Sequence, residues 1–188
     1  AVMLRDIKAA IDDTGVQVLD VELARIIEAA APDSYLPALE TAAELGARHV
    51  LSSVWMPDRH QVIERFARLC EVAKPLGLTV NLEFVSSTEW NTLEGALDIV
   101  TSCGRDNVGI TIDTLHFHRG RIPIEELDRI PASWANFAHV CDDRPDVPGA
   151  SVGIMVDGAG IFARGYGCAN LETGRPADAR TNYRLASV

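Results

Sequence analysis

The chain reads as an α/β protein with parallel strands lying under a cover of helices, and three observations carry that reading. Helix-spaced and strand-like segments alternate through the first three quarters of the sequence. Each strand-like run is almost continuously apolar, and the main helical runs close on a glycine. Strands that are apolar on both faces must be covered on both, which is the situation of parallel strands between helices.

The elements follow in order. Leu4 to Asp13 has apolar residues at helical spacing and ends at Thr14-Gly15 in the manner of a helix C-cap. Val16 to Leu23 (VQVLDVEL) is rich in apolar and β-branched residues and reads as a buried strand. Tyr35 to Gly46 is helical, and Ala47 to Trp55 is the second strand. Asp58 to Gly77 is a long amphipathic helix with Ile63, Phe66, Leu69 and Val72 on one stripe. Leu78 to Ser86 is the third strand, and Thr92 to Cys103 a helix followed by Gly104. Asn107 to His118 (NVGITIDTLHFH) is the fourth strand, Ile124 to Asp128 a short helix, and NFAHVC, within Ser133 to Asp143, the fifth strand.

From Arg144 the alternation stops. SVGIMV is an isolated strand candidate, and Gly158 to Gly167 (GAGIFARGYG) reads as a loop because it has neither GxGxxG nor GxxxxGK[ST]. The expected organisation is therefore a partial α/β barrel or sheet over 1–143 and a divergent, irregular C-terminal tail over 144–188.

Composition narrows the function classes. The 188 residues are 47% hydrophobic and 23% charged, as in an ordinary globular domain, and the net charge is -10. A surface of that sign repels phosphate backbones, so no nucleic-acid partner is expected. No apolar run reaches the ~18 residues of a membrane span. Cys70, Cys103, Cys141 and Cys168 form no CxxC pair, which favours reduced thiols over a disulfide framework or a zinc knuckle. With no charged-then-apolar leader in view, the expectation is a cytoplasmic protein acting on a small molecule.

Chemistry is sought at the C-terminal ends of the strands, where parallel α/β folds collect ligands. Glu83 lies near the end of the third strand, Asp113 and His116 close the fourth, and His139 and Asp142 the fifth. A carboxylate buried in so apolar a strand costs several kcal/mol unless it is paired or bound to a metal. Any one of these residues reads equally well as a buried structural group. Together they make a mixed carboxylate and imidazole set suited to Mn²⁺, Mg²⁺, Co²⁺ or Zn²⁺. Asp20 and Glu22 read first as solvated strand-end acids, and Trp55 and Trp90 as rim or core packing. Arg119 offers a planar donor fork to a phosphate or substrate oxygen, with a surface role as the equal alternative.

LEFVSSTEWNTLEGALDIV, VGITIDTLHFHR and IPASWANFAHVCDD together resemble the sugar phosphate isomerase/epimerase family with the xylose isomerase-like TIM barrel, over about residues 4–143. The resemblance implies a (β/α) TIM-type barrel that is incomplete here, its first two strands and last strand not evident. It implies that Glu83, Asp113 and His139 are metal ligands, that Glu83 doubles as acid/base, that His116 is catalytic and touches substrate, and that Asp142 is the acidic partner of His139; Asp142 and Arg119 stand beside His116 as substrate-binding candidates. The family's fourth ligand, a glutamate on the last strand, has no match; Glu172 is the only glutamate of the tail, and its surroundings are not strand-like. The implied reaction is metal-assisted proton abstraction next to a carbonyl, through an enediolate, in an isomerase or epimerase of a sugar, sugar phosphate or polyol-derived ketone. A dehydratase of the same superfamily is the first alternative. The second is an inactive barrel fragment serving as a binding module, whose open strand edges predict a homo-oligomer.

Overall fold

The computed structural model describes residues 2–140, 149–156, 159–170, 175–176 and 178. The chain divides into two compact units, Ala1–Cys141 and Asp142–Val188.

The first unit opens with helix α1 (Val2–Thr14) and continues through β1 (Asp20–Ile26), α2 (Leu36–Glu44), β2 (His49–Val54), α3 (Arg59–Ala73), β3 (Thr79–Glu83), α4 (Leu93–Ser102), β4 (Val108–Asp113), α5 (Thr114–Arg119) and β5 (Ala138–His139). All five strands pair in chain order, β1-β2-β3-β4-β5, and every pairing is parallel. This is the strand arrangement of a (β/α) barrel with part of its strand set.

Local chemistry sets the helix ends. Asp58 accepts a hydrogen bond from the Gln61 backbone N–H at 2.8 Å and starts α3, and Thr92 accepts from Gly95 N–H at 3.1 Å and starts α4. After α3, Gly77 takes φ +71°, a left-handed turn that glycine adopts without steric cost, and the chain returns to β3. Val62, Phe66, Leu69, Cys70 and Ala73 of α3, and Leu93, Ala96, Ile99 and Val100 of α4, recur at helical spacing and are buried against Val50, Val80, Leu82, Val108 and Ile110 of the sheet. The buried stripe of α3 is thus turned slightly from the expected one, and Ile63 is only partly covered.

In the first unit the structure corrects three sequence expectations. The first strand begins at Asp20, not Val16, because pairing with β2 starts at Asp20↔His49 and Val16 and Leu19 stay exposed. The fourth strand stops at Asp113, whose carboxylate accepts the Leu115 N–H at 2.7 Å and caps α5, so His116, His118 and Arg119 stand on a helix. The apolar and aromatic residues of TLHFH suit either period, and the cap decides between them. The fifth strand is only two residues long.

The second unit holds three antiparallel strands, β6 (Gly149–Val156), β7 (Ala159–Asn170) and β8 (Arg175–Pro176), in the order β6-β7-β8. Residues 159–167, expected to be loop, therefore lie within a strand, and SVGIMV lies within β6. Interior glycines weaken strand propensity and hid the pairing of Gly149↔Gly167 through Val156↔Ala159. Among the described residues no helix is long and apolar enough to cross a membrane.

Candidate metal centre

Alternation along β3 turns Val80 and Leu82 toward the helices and Asn81 and Glu83 toward the opposite face. Register places Asn81 beside Gly109 and Glu83 beside Thr111, and pairs Asp113 with His139. Glu83, Asp113 and His139 therefore come from the C-terminal ends of three consecutive strands. Two-residue β5 is held mostly by what precedes it. Asn136 Nδ2 donates to Asn81 Oδ1 at 2.7 Å across the bare backbone of Gly109. A Cβ at Gly109 would stand 2.2 Å from Asn81 Oδ1 and 2.3 Å from Asn136 Nδ2, so only glycine lets the segment carrying His139 approach this closely.

The result is a tight group. His139 Nδ1 lies 3.4 Å from Glu83 Oε1 and 3.8 Å from Asp113 Oδ2. Glu83 and Asp113 retain only 9% and 6% of their accessible surface. On the other side of the ring, His139 Nε2 faces Glu22 Oε1 at 3.6 Å. Glu22 belongs to β1 and His139 to β5, the two edges of the sheet. A flat sheet would hold those edges about 19 Å apart, at ~4.8 Å per strand spacing. The contact therefore requires the sheet to be curled into a trough, as in a barrel wall.

Glu22, Leu23, Leu51, Glu83, Asp113, Ala138, His139 and Val140 line a cavity of ≈ 530 Å³ in the trough. Burial pushes the Glu83 carboxyl above its ordinary range, and the negative charges of Asp113 and Glu22 push it the same way; His139 opposes them. Among the described residues that line the cavity, none is a lysine or arginine. The site thus gathers carboxylates that repel one another around an imidazole, with one oxygen of Glu83, one of Asp113 and one nitrogen of His139 within 4.8 Å of each other. An O,O,N donor set of two carboxylates and an imidazole fits a divalent cation of the Mn²⁺, Mg²⁺, Co²⁺ or Zn²⁺ class.

The remaining expected residues are placed as follows. His116, on the first turn of α5, accepts a hydrogen bond on Nδ1 from the Ser86 backbone N–H at 3.3 Å, with the Ser86 hydroxyl at 3.0 Å. Arg119 ends α5 and is exposed, though engaged by a neighbour. Asp142 and Glu172 lie outside the described residues. Trp55 donates its indole N–H to Ser53 Oγ at 2.8 Å and carries the Arg25 guanidinium over its ring, and Trp90 donates to the Met56 carbonyl at 2.9 Å. Sequence reasoning ranked Glu22 as solvated. Its side chain is indeed 57% exposed, yet it reaches the site from the far edge strand. Only a spacing signal such as DVEL opposite HVC could have suggested this, and that signal is too common to be diagnostic.

The sequence profile described as xylose isomerase-like TIM barrel matches residues 2–175. An inosose isomerase of Bacillus velezensis is 31% identical over 144 residues, which make up 71% of this chain and 50% of that protein. The chain spans about half the length of the curated relatives it matches. A solved structure of IolI protein with a bound zinc atom superposes with a TM-score of 0.66 at 23% identity, covering 73% of this chain and 55% of that one. The 3-keto-D-glucoside 4-epimerase of E. coli superposes with a TM-score of 0.60 at 22% identity, covering 74% and 64%.

Proposed function

The chain belongs to the xylose isomerase-like TIM barrel family, and on that premise we propose that it forms the metal-ligating part of an isomerase or epimerase of a small polyhydroxylated ketone. An inosose, the compound in the relatives' name, is the first substrate to try. The observation that carries this reading is the convergence of Glu83, Asp113 and His139 from three neighbouring strand ends.

Those three residues would hold the ion. When bound, a divalent cation would polarise the substrate carbonyl and stabilise the negative charge of the enediolate formed when a neighbouring proton leaves. Glu83 takes that proton as general base. His116 is set up as a hydrogen-bond donor. Because Nδ1 accepts from the Ser86 amide, the ring proton sits on Nε2, free to reach a substrate oxygen. Arg119 and Asp142 are assigned to substrate recognition.

Proton abstraction alone needs only one base, so it is the half-reaction to measure. The chain, loaded in turn with Mn²⁺, Co²⁺ and Zn²⁺, is incubated with a panel of inososes and keto-sugars in D₂O and followed by NMR. Deuterium should enter at the carbon next to the carbonyl, only with metal present, and exchange should be lost in Glu83→Gln and His139→Ala. Loss of water from the same panel would move the reading to a dehydratase. A chain that binds metal stoichiometrically yet exchanges no substrate proton would refute it.

A further inference from the structure

The imidazole of His139 has two distinct neighbours. Nδ1 faces the buried carboxylates of Glu83 and Asp113, at 3.4 and 3.8 Å, while Nε2 points the opposite way, to Glu22 Oε1 at 3.6 Å. A histidine that ligates a metal must be deprotonated on the ligating nitrogen, and the partner of the other nitrogen decides whether that is so. From this geometry we infer that Glu22 is a positioning residue for the metal centre. It accepts the Nε2 proton of His139, fixing the tautomer that leaves Nδ1 free to ligate and aiming the ring at Glu83 and Asp113. This rests on the metal-site reading above and adds a residue from outside the ligand set.

Two features support the assignment. β1 is irregular between Val21 and Ala24, where Cα pairing with β2 is interrupted, and Glu22 lies in that stretch. A bulge of this kind re-aims a side chain, here across the trough toward the opposite edge strand. Second, β5 has only two residues, and the flank of the His139 ring rests on Phe137 at a 5.5 Å centroid distance in a tilted contact. A polar anchor on Nε2 adds a constraint on the side of the ring opposite the buried carboxylates. Asp20 is the competing acceptor. It falls in the same 4.8 Å group with Glu22 and His139, and its Oδ2 is buried without a hydrogen-bond partner among the described residues. Glu22 is favoured because its oxygen stands within ion-pair distance of Nε2 and lines the cavity.

The test is Co²⁺ titration, read by visible absorption, of the wild-type chain and of Glu22→Ala, Glu22→Gln, Asp20→Ala and His139→Ala. It is paired with long-range ¹H–¹⁵N NMR of the Zn²⁺-loaded histidines. Removing such a partner typically weakens metal binding about 10- to 100-fold. Glu22→Ala should show that loss together with loss of the Nε2–H signature of His139. Glu22→Gln, which still offers a carbonyl acceptor, should restore both. If Glu22→Ala binds Co²⁺ like wild type and keeps the Nε2–H signature while His139→Ala loses binding, the positioning role is overturned and the metal site stands. A loss in Asp20→Ala without one in Glu22→Ala overturns it in favour of Asp20. If wild type binds no Co²⁺, the metal reading itself fails and this inference falls with it. Unchanged far-ultraviolet circular dichroism and melting of metal-free Glu22→Ala should exclude misfolding, and the 57% exposure of that side chain makes tolerance the expected outcome.

Discussion

Replacing Glu83 by glutamine should make the metal-free protein more stable and the metal-loaded protein less so. Without metal the carboxylates of Glu83 and Asp113 lie within 4.8 Å of each other and are largely buried. Two unit charges at that distance repel by about 3–4 kcal/mol at an effective dielectric constant near 20. Attraction to His139 and residual hydration offset part of this, leaving about 1–2 kcal/mol to be released, within the usual range of single-residue effects. For a unit of this size that corresponds to a rise of about 4–8 °C in Tm.

The pH dependence gives the sign. Glu83 is held above its ordinary value of 4.5, so the folded state keeps its proton where the unfolded chain has lost it. Wild-type stability is then fully present below pH 4.5 and falls as pH rises through the folded-state value. The advantage of Glu83→Gln should therefore be absent near pH 4, grow with pH and level off. The assay is thermal melting by circular dichroism from pH 4 to pH 8 in EDTA. With cation at 100 times its Kd, wild type should gain about 2.7 kcal/mol and the variant much less, reversing the order. A variant less stable than wild type at pH 7 in EDTA, or a difference that does not change with pH, would refute the picture of mutually repelling carboxylates.

Other perturbations test the scaffold. Gly109→Ala puts a methyl group 2.2 Å from Asn81 Oδ1 and 2.3 Å from Asn136 Nδ2, so it should cost about 1–3 kcal/mol in urea unfolding and weaken Co²⁺ binding by displacing His139. His49 has its ionisation range lowered, first by burial and then by Arg48, against the pull of Asp20. Wild type should therefore lose stability relative to His49→Phe as pH falls below 6.5, where the unfolded chain gains a proton more readily, and equal pH profiles would contradict this.

Much of the fold is legible in the sequence because the code for it is local. Helical spacing in Arg59–Ala73 and Leu93–Ser102, caps at Asp58 and Thr92, and the apolar runs of β2 and β3 each depend on residues close by in the chain. Where two local codes competed, the reading failed. TLHFHR suits strand or helix until the Asp113 carboxylate caps the Leu115 N–H, and the glycine-rich 159–167 does not look like a strand until a partner pairs with it.

The same division holds at the metal centre. Sequence by itself put Glu83, Asp113 and His139 near the ends of three consecutive strands, where a carboxylate is costly to bury without a partner, and the family resemblance implied these three as the donor set. Only the tertiary structure decided which nitrogen of His139 faces them, that the Asn81–Asn136 bond over Gly109 holds the short fifth strand in place, and that Glu22 reaches the other nitrogen of His139. The physical reason is curvature. Glu22 and His139 are 117 positions apart and on opposite edges of the sheet, and nothing in either segment encodes the curl that brings them to 3.6 Å.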